Sequence, residues 1–136
     1  MPWSTRRVGE IPIVETIYAG ELSKNDLLAA VRATLRVAEE QGTRYFLADC
    51  RGLSGGHSVF DLYAVGEEVA EQKPHLTLVE AVLLPVLPGP AEMVSFWETL
   101  GVNRGLRIDL FVDRHEAIAW LENEQRRSAE RETRSA

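Results

Sequence analysis

The sequence has only one cysteine, Cys50, among its 136 residues. A single thiol cannot form a disulfide within the chain, and no cysteine or histidine lies at the spacing that a zinc site requires. We therefore expect neither a disulfide-stabilised fold nor a bound metal, and we predict no cofactor.

Long apolar runs are also missing. A membrane-spanning helix needs about 18 or more consecutive apolar residues, and the chain has no such run. The first residues, MPWSTRRVGE, lack the apolar segment that follows the basic residues of a secretory signal. These two absences predict a cytoplasmic protein without a membrane span.

Positive charge is scarce. The chain contains 15 basic and 21 acidic residues, for a net charge of −6, whereas a protein that binds duplex nucleic acid needs a cationic face. We therefore predict no nucleic-acid partner. The acidic excess lies within residues 1–124, which we expect to form one domain, while residues 125–136 are net basic and indicate a charged tail or a helix extension.

Strand and helix patterns alternate along the chain in the order ββαβαβαβα. Ser23 and Ser58 each precede an aspartate by three residues, the spacing of a capping box at a helix start, and Gly42 suits the end of the first helix. Repeated strand–helix–strand units require a largely parallel sheet. The sequence therefore predicts an α/β fold with a single mixed, mostly parallel five-stranded sheet and about four helices packed against it.

Two turn signals refine this arrangement. Gly9 and Glu10 separate the first two extended segments, and a tight turn there would pair the two strands antiparallel at one edge of the sheet. Pro74 should mark the end of the second helix, because proline cannot continue a helix.

The segment DCRGLSGGHSVFDL, residues 49–62, indicates a strand end, a glycine-rich turn and a helix start. Ligands of open parallel sheets bind beyond the carboxyl ends of the strands, and a helix start offers free N–H groups to an anion. The phosphate-binding patterns GxGxxG and GxxxxGKS are absent, however, and a tight turn with a helix cap would explain the same residues. The candidate ligand- or partner-binding residues of this loop are Arg51, Ser54, Gly55, Gly56, His57 and Ser58.

A second loop, PVLPGP at residues 85–90, should lie at the same edge of the sheet. Its three prolines make it stiff, so the side chains of Val86 and Leu87 are difficult to bury. We therefore add Val86 and Leu87 to the candidate contact residues. A third loop, residues 113–115, follows the last strand and should reach the same edge.

Three strings resemble the STAS-like family of bacterial anti-sigma-factor antagonists, especially its SpoIIAA-like branch: AGELSKNDLLAAV, YFLADCRGLSG and NRGLRIDLFVDRHEAIAWL. The resemblance spans roughly residues 4–124 and implies a STAS-like fold and a non-enzymatic binding module. Antagonists of this kind carry an Asp-Ser-Ser/Thr-Gly string whose serine is phosphorylated by a partner kinase. Here the region reads LSGGHSVFD, without that string. Ser58 lies near the corresponding position and is the candidate phosphoacceptor, with Ser54 as the other serine of the loop.

The leading functional prediction is a non-catalytic protein-interaction or regulatory module that binds a protein partner or a second copy of itself, as a homodimer. The alternative is a carrier of a small apolar or amphiphilic ligand, with Phe60, Tyr63 and Trp97 lining a cleft between the second and third helices. These aromatic residues would also be expected in an ordinary core.

A remote alternative is an enzyme in which Cys50 is the nucleophile and His57 or His115 is the base. Such a reaction needs a thiolate next to a base and an orienting third group. A lone cysteine at a strand end is more typical of a small buried hydrophobe. We therefore expect no catalytic residues.

Overall fold

The computed structural model describes residues 2–8, 12–72 and 77–135. Its strands and helices follow one another in the order that the sequence predicts. They are β1 (Trp3–Val8), β2 (Ile13–Glu21), α1 (Lys24–Gln41), β3 (Tyr45–Gly55), α2 (Val59–Gln72), β4 (Val79–Leu83), α3 (Pro88–Asn103), β5 (Arg107–Phe111) and α4 (Arg114–Ser135). The predicted turn at Gly9 and Glu10 and the helix end at Pro74 lie outside the described residues.

The strands form one mixed sheet in the order β1-β2-β3-β4-β5. Strand β1 pairs antiparallel with β2, and each later pair of neighbours is parallel. The predicted α/β architecture is confirmed, including the antiparallel first strand at the edge.

The helices cover both faces of this sheet. One cluster of buried residues joins α1, α2 and α3 to the sheet, and a separate cluster joins α4 to the other face. Strand β3 contributes Ala48 and Cys50 to the first cluster and Leu47 to the second, because successive side chains of a strand point to opposite faces. This strand is therefore buried on both sides, as its apolar sequence RYFLAD predicts.

Capping boxes start the first two helices, as predicted. The Ser23 hydroxyl accepts a hydrogen bond of 3.2 Å from the Asp26 N–H, and the Asp26 carboxylate accepts one of 3.0 Å from the Ser23 N–H. At the start of α2, Ser58 and Asp61 form the same pair of bonds, at 3.3 and 2.8 Å. These bonds satisfy N–H groups that have no partner within the helix.

Strand β3 is longer than the sequence predicts. Instead of turning after Asp49, the chain stays paired with β2 as far as Gly55, which lies opposite Glu21. Strand β4 has already ended at Leu83, opposite Asp49, so the end of β3 pairs with β2 alone. The prediction of a turn over residues 51–58 was wrong for residues 51–55, because this segment pairs with a neighbouring strand that local sequence does not reveal. Residues 56–58 do connect β3 to α2.

Gly56 makes the short connection from β3 to α2. Its φ of 97° is unfavourable for any residue with a side chain, and a Cβ there would lie 2.7 Å from the Leu22 nitrogen. The adjacent Leu22 N–H donates a 2.9 Å hydrogen bond to the Gly55 carbonyl. The loop is therefore fixed against the junction between β2 and α1.

The last two helices begin within the segments that the sequence predicts as the second and third loops. Helix α3 starts in the proline-rich loop, with Leu87 at its N-cap and Pro88 in its first turn. In α4, the Asp113 carboxylate accepts a 3.2 Å hydrogen bond from the Glu116 N–H. Helix α4 then continues without a break through residues 125–135. Over the described ranges, no helix is both long and apolar enough to span a membrane.

Candidate functional site

A mainly apolar cavity of about 80 Å³ lies between the sheet and helices α1, α2 and α3. A neighbouring space of about 50 Å³ shares Tyr18, Val31, Glu80 and Trp97 with it. The larger cavity is lined by Tyr18, Leu27, Val31, Ala48, Cys50, Leu53, His57, Leu62, Val65, Glu80, Val82, Met93, Val94 and Trp97.

Glu80 is an acidic residue at an inward position of β4. Its neighbours Val79 and Ala81 belong to the α4 face, and the alternation of the strand therefore directs Glu80 towards α1–α3. The indole Nε1–H of Trp97, from α3, donates a 2.8 Å hydrogen bond to Glu80 Oε1. One strand and one helix thus hold a carboxyl group in an apolar layer.

Burial raises the pKa of Glu80 from its ordinary value of 4.5 to about 7, and the hydrogen bond from Trp97 opposes part of this rise. The Glu80 side chain lines both cavities. Near neutral pH, this carboxyl group is therefore present in both protonation states.

Two other acids lie close to Glu80. Burial raises the pKa of the Tyr18 hydroxyl well above its ordinary value, and the nearby Cys50 and Glu80 raise it further. Burial also raises the pKa of the Cys50 thiol, with added contributions from the charges of Glu80 and Asp49. Cys50 therefore stays protonated, which opposes the thiolate that the nucleophile hypothesis requires.

His57 lines the cavity with an unpaired polar atom. Its Nδ1 is buried and has no hydrogen-bond partner among the described residues. Leaving such an atom unpaired costs about 1–3 kcal/mol, so a buried unpaired nitrogen in a folded protein calls for a specific explanation. A ligand in the cavity that bonds to Nδ1 would provide one.

Arg51 lies away from this cavity. Its guanidinium binds the Asp49 carboxylate through two hydrogen bonds, 3.0 Å from Nε to Oδ1 and 2.8 Å from Nη2 to Oδ2. These bonds hold the pKa of Asp49 below its ordinary value, although burial opposes the shift. Asp49 lies on the α4 side of β3, opposite its neighbours Ala48 and Cys50. The Arg51 guanidinium reaches that side through its bonds to Asp49, at the point where the register between β2 and β3 shifts. The structure therefore separates Arg51 from His57.

The other predicted loop residues lie at the surface or in the connection itself. Ser54 is exposed, and Ser58 is exposed with its hydroxyl bonded to the Asp61 N–H. Gly55 and Gly56 form the connection to α2 that is fixed on Leu22. None of these four residues lines the cavity.

The predicted aromatic cleft is only partly present. Trp97 lines both cavities, whereas Phe60 is 82% exposed and lies outside them. Tyr63 packs edge-on against Phe96, with ring centroids 5.7 Å apart, and the Arg104 guanidinium lies over the Tyr63 ring, 5.5 Å from its centroid. The observed cavity lies beneath the helices, against the sheet, and not in a cleft between two helices.

Sequence reasoning missed Glu80 and Tyr18 as site residues. The available signal was the single acidic residue inside the apolar strand VEAVL. Within the described ranges, no group of three or more histidine, cysteine, aspartate or glutamate side chains could hold a metal ion.

No family model matches the chain, and no curated protein matches it. A crystal structure of an uncharacterised DUF3478-family protein from Shewanella loihica PV-4, described as having a SpoIIAA-like fold, is similar to it with a TM-score of 0.54. The two chains are 15% identical, and the match covers 88% of this chain and 91% of the other. At this identity the likeness shows the fold, and the predicted SpoIIAA-like architecture is confirmed.

Proposed function

We propose that this protein is a non-catalytic binding module that holds a small, mainly apolar ligand in the cavity between the sheet and helices α1–α3. The observation that carries this proposal is the buried, unpaired Nδ1 of His57 at the wall of an apolar cavity. Apolar walls with a few polar groups are typical of small-molecule sites.

The size of the cavity limits the ligand. Its volume of about 80 Å³ is smaller than the engineered cavity of about 150 Å³ that binds benzene. A ligand with only a few non-hydrogen atoms fits without rearrangement. A longer ligand would have to extend into the second space, past Tyr18 and Trp97, which border both.

Two observations support a non-catalytic role. Cys50 is held as a thiol next to Glu80, and a buried thiol is a poor nucleophile. Arg51 follows Cys50 in the sequence, but its guanidinium is bound to Asp49 on the other side of the sheet. The cavity therefore offers recognition groups without an activated nucleophile.

Titration with isobutanol, followed by two-dimensional NMR of the protein, tests the proposal. We expect shifts at the Trp97 indole and the His57 ring, and we expect Ala48→Val to abolish them by filling the cavity. Ala70→Val adds the same volume at an exposed position of α2 and should leave the shifts unchanged. Shifts that persist in Ala48→Val, or their absence from the wild type, would contradict the proposal.

A second candidate function is binding to a second copy of the chain. The side chains of Phe60 and Val86 are 82% and 83% exposed, and Leu87 is 49% exposed. Large apolar side chains exposed near the starts of α2 and α3 favour an interaction surface, in line with the contact role predicted for the 85–90 loop.

Light scattering after size exclusion tests this second candidate. We expect a dimer for the wild type and a monomer for the double variant Val86→Asp, Leu87→Asp. Val102→Asp, at an exposed apolar residue near the other end of α3, serves as the control and should remain dimeric. A monomeric wild type would refute self-association without affecting the ligand proposal.

A further inference from the structure

The titratable groups around the two cavities are almost all acids. The strands contribute Tyr18, Cys50 and Glu80, the loop before α2 contributes His57, and α1, α2 and α3 contribute no titratable side chain to the lining. Neither lysine nor arginine lines these spaces within the described part of the chain. The polar end of the cavity therefore has an acidic character.

Glu80 has a neutral partner only. Its Oε1 accepts a hydrogen bond from Trp97, and no cation pairs with the carboxylate among the described residues. An ionised carboxylate in an apolar layer is costly unless a cation and hydrogen bonds compensate it. A ligand that brings a positive charge would supply the missing partner.

His57 offers a second polar group at the wall of the same cavity. In the tautomer with its proton on Nε2, the buried Nδ1 is a hydrogen-bond acceptor. An ammonium group has three N–H donors, so one ligand group has enough donors for both the Glu80 carboxylate and the His57 nitrogen. An anionic ligand would instead add a second negative charge beside Glu80 and would offer no donor.

We infer that the cavity binds a small primary amine, with the ammonium group at Glu80 and the hydrocarbon portion between the sheet and helices α1–α3, and that it rejects carboxylates of the same shape. This inference rests on the proposed function and adds the chemical class of the ligand. Two observations support the inference: the Glu80 carboxyl group lines the cavity without a cationic partner among the described residues, and the His57 Nδ1 is unpaired.

Three probes of similar shape test the inference on the wild-type protein: isobutylamine, isobutanol and isobutyrate. At a pH of about 8 the amine is cationic and the acid is anionic. We expect the amine to bind at least about tenfold more tightly than the alcohol, a difference of about 1.4 kcal/mol, and we expect no binding of isobutyrate.

The experiment distinguishes a wrong ligand class from a wrong binding function. If isobutyrate binds as well as isobutylamine, the inferred ligand class is wrong while the proposed binding function stands. If none of the three probes binds, the proposed function itself fails. Neither result depends on a variant that has to fold.

Glu80→Gln separates recognition from structure. The amide keeps the size of the side chain and an oxygen that can accept from Trp97, so we expect the preference for amine over alcohol to fall by about tenfold with isobutanol binding unchanged. If the role of Glu80 were purely structural, the substitution would weaken the binding of isobutylamine and isobutanol equally. Glu71→Gln, an exposed change on α2, should alter neither affinity.

Discussion

The Trp97 indole nitrogen lies 2.8 Å from Glu80 Oε1, and this bond connects α3 to an inward position of β4. It stabilises a carboxyl group that the surrounding apolar residues would otherwise disfavour in its charged form. The same two side chains border both internal spaces. This contact therefore links the stability of the fold to the chemistry of the candidate site.

Stability should decrease as pH rises through the titration of Glu80. The folded protein holds this proton up to a pKa of about 7, whereas an unfolded glutamate releases it near 4.5. Between these values the folded state binds the extra proton, so the free energy of unfolding falls with rising pH, by up to about 3 kcal/mol.

Chemical denaturation of Glu80→Gln over the same pH range checks this effect. Because glutamine does not titrate, we expect a smaller decrease in stability across the window than in the wild type, while Glu71→Gln should behave like the wild type. The neighbouring Tyr18 and Cys50 titrate above this range, since burial raises both pKa values. Equal pH dependence in all three proteins would contradict the assignment to Glu80.

Trp97→Phe should raise the pKa of Glu80 above about 7, because it removes the hydrogen bond that favours the charged form. We expect a loss of about 1–3 kcal/mol in stability, larger in mildly alkaline than in mildly acidic solution. Carbon-13 NMR of the Glu80 carboxyl measures the shift directly. Trp120→Phe, in the α4 layer beside Phe111, should leave this pKa unchanged.

Gly56→Ala should destabilise the protein by at least about 1–3 kcal/mol, the cost of one strained backbone conformation. The added Cβ would also approach the Leu22 backbone to 2.7 Å. Urea denaturation measures the loss. Gly89→Ala is the matched control, because a Cβ at Gly89 would have no neighbour within 4 Å, and a stability change as large as that of Gly56→Ala would refute the explanation.

Arg51→Gln should lower stability without changing ligand affinity. The substitution leaves the buried Asp49 carboxylate without its bidentate partner, which we expect to cost about 1–3 kcal/mol. Its position on the α4 side of the sheet keeps it away from the cavity. Binding of isobutanol within about twofold of wild type would agree with this, and a large loss of affinity would place Arg51 in the site after all.

Cys50 should react with iodoacetamide far more slowly than a free thiol does, because the buried side chain is held in its protonated form. We expect the rate to recover when the protein is unfolded in urea. Mass spectrometry of the alkylated protein follows both reactions. Fast labelling of the folded protein would revive the nucleophile hypothesis for Cys50.

The order of strands and helices was predictable because its signals are local. Ser23 with Asp26, and Ser58 with Asp61, form their capping bonds within one helical turn, so their spacing in the sequence is sufficient. The apolar sequence of β3 likewise indicates burial on both faces. The end of that strand was not predictable, because residues 51–55 bond to β2, more than 30 residues earlier in the chain.

The sequence by itself determined the alternation of elements, the caps and hence the α/β architecture, since periodicity and capping act between residues a few positions apart. Only the tertiary structure decided which side chains meet. Trp97 bonds to Glu80 across 17 positions, His57 joins them at a cavity closed by three helices, and Arg51 turns to the opposite face. The pKa of a buried carboxyl and the unpaired state of a ring nitrogen depend on the atoms packed around them, and that packing exists only in the folded chain.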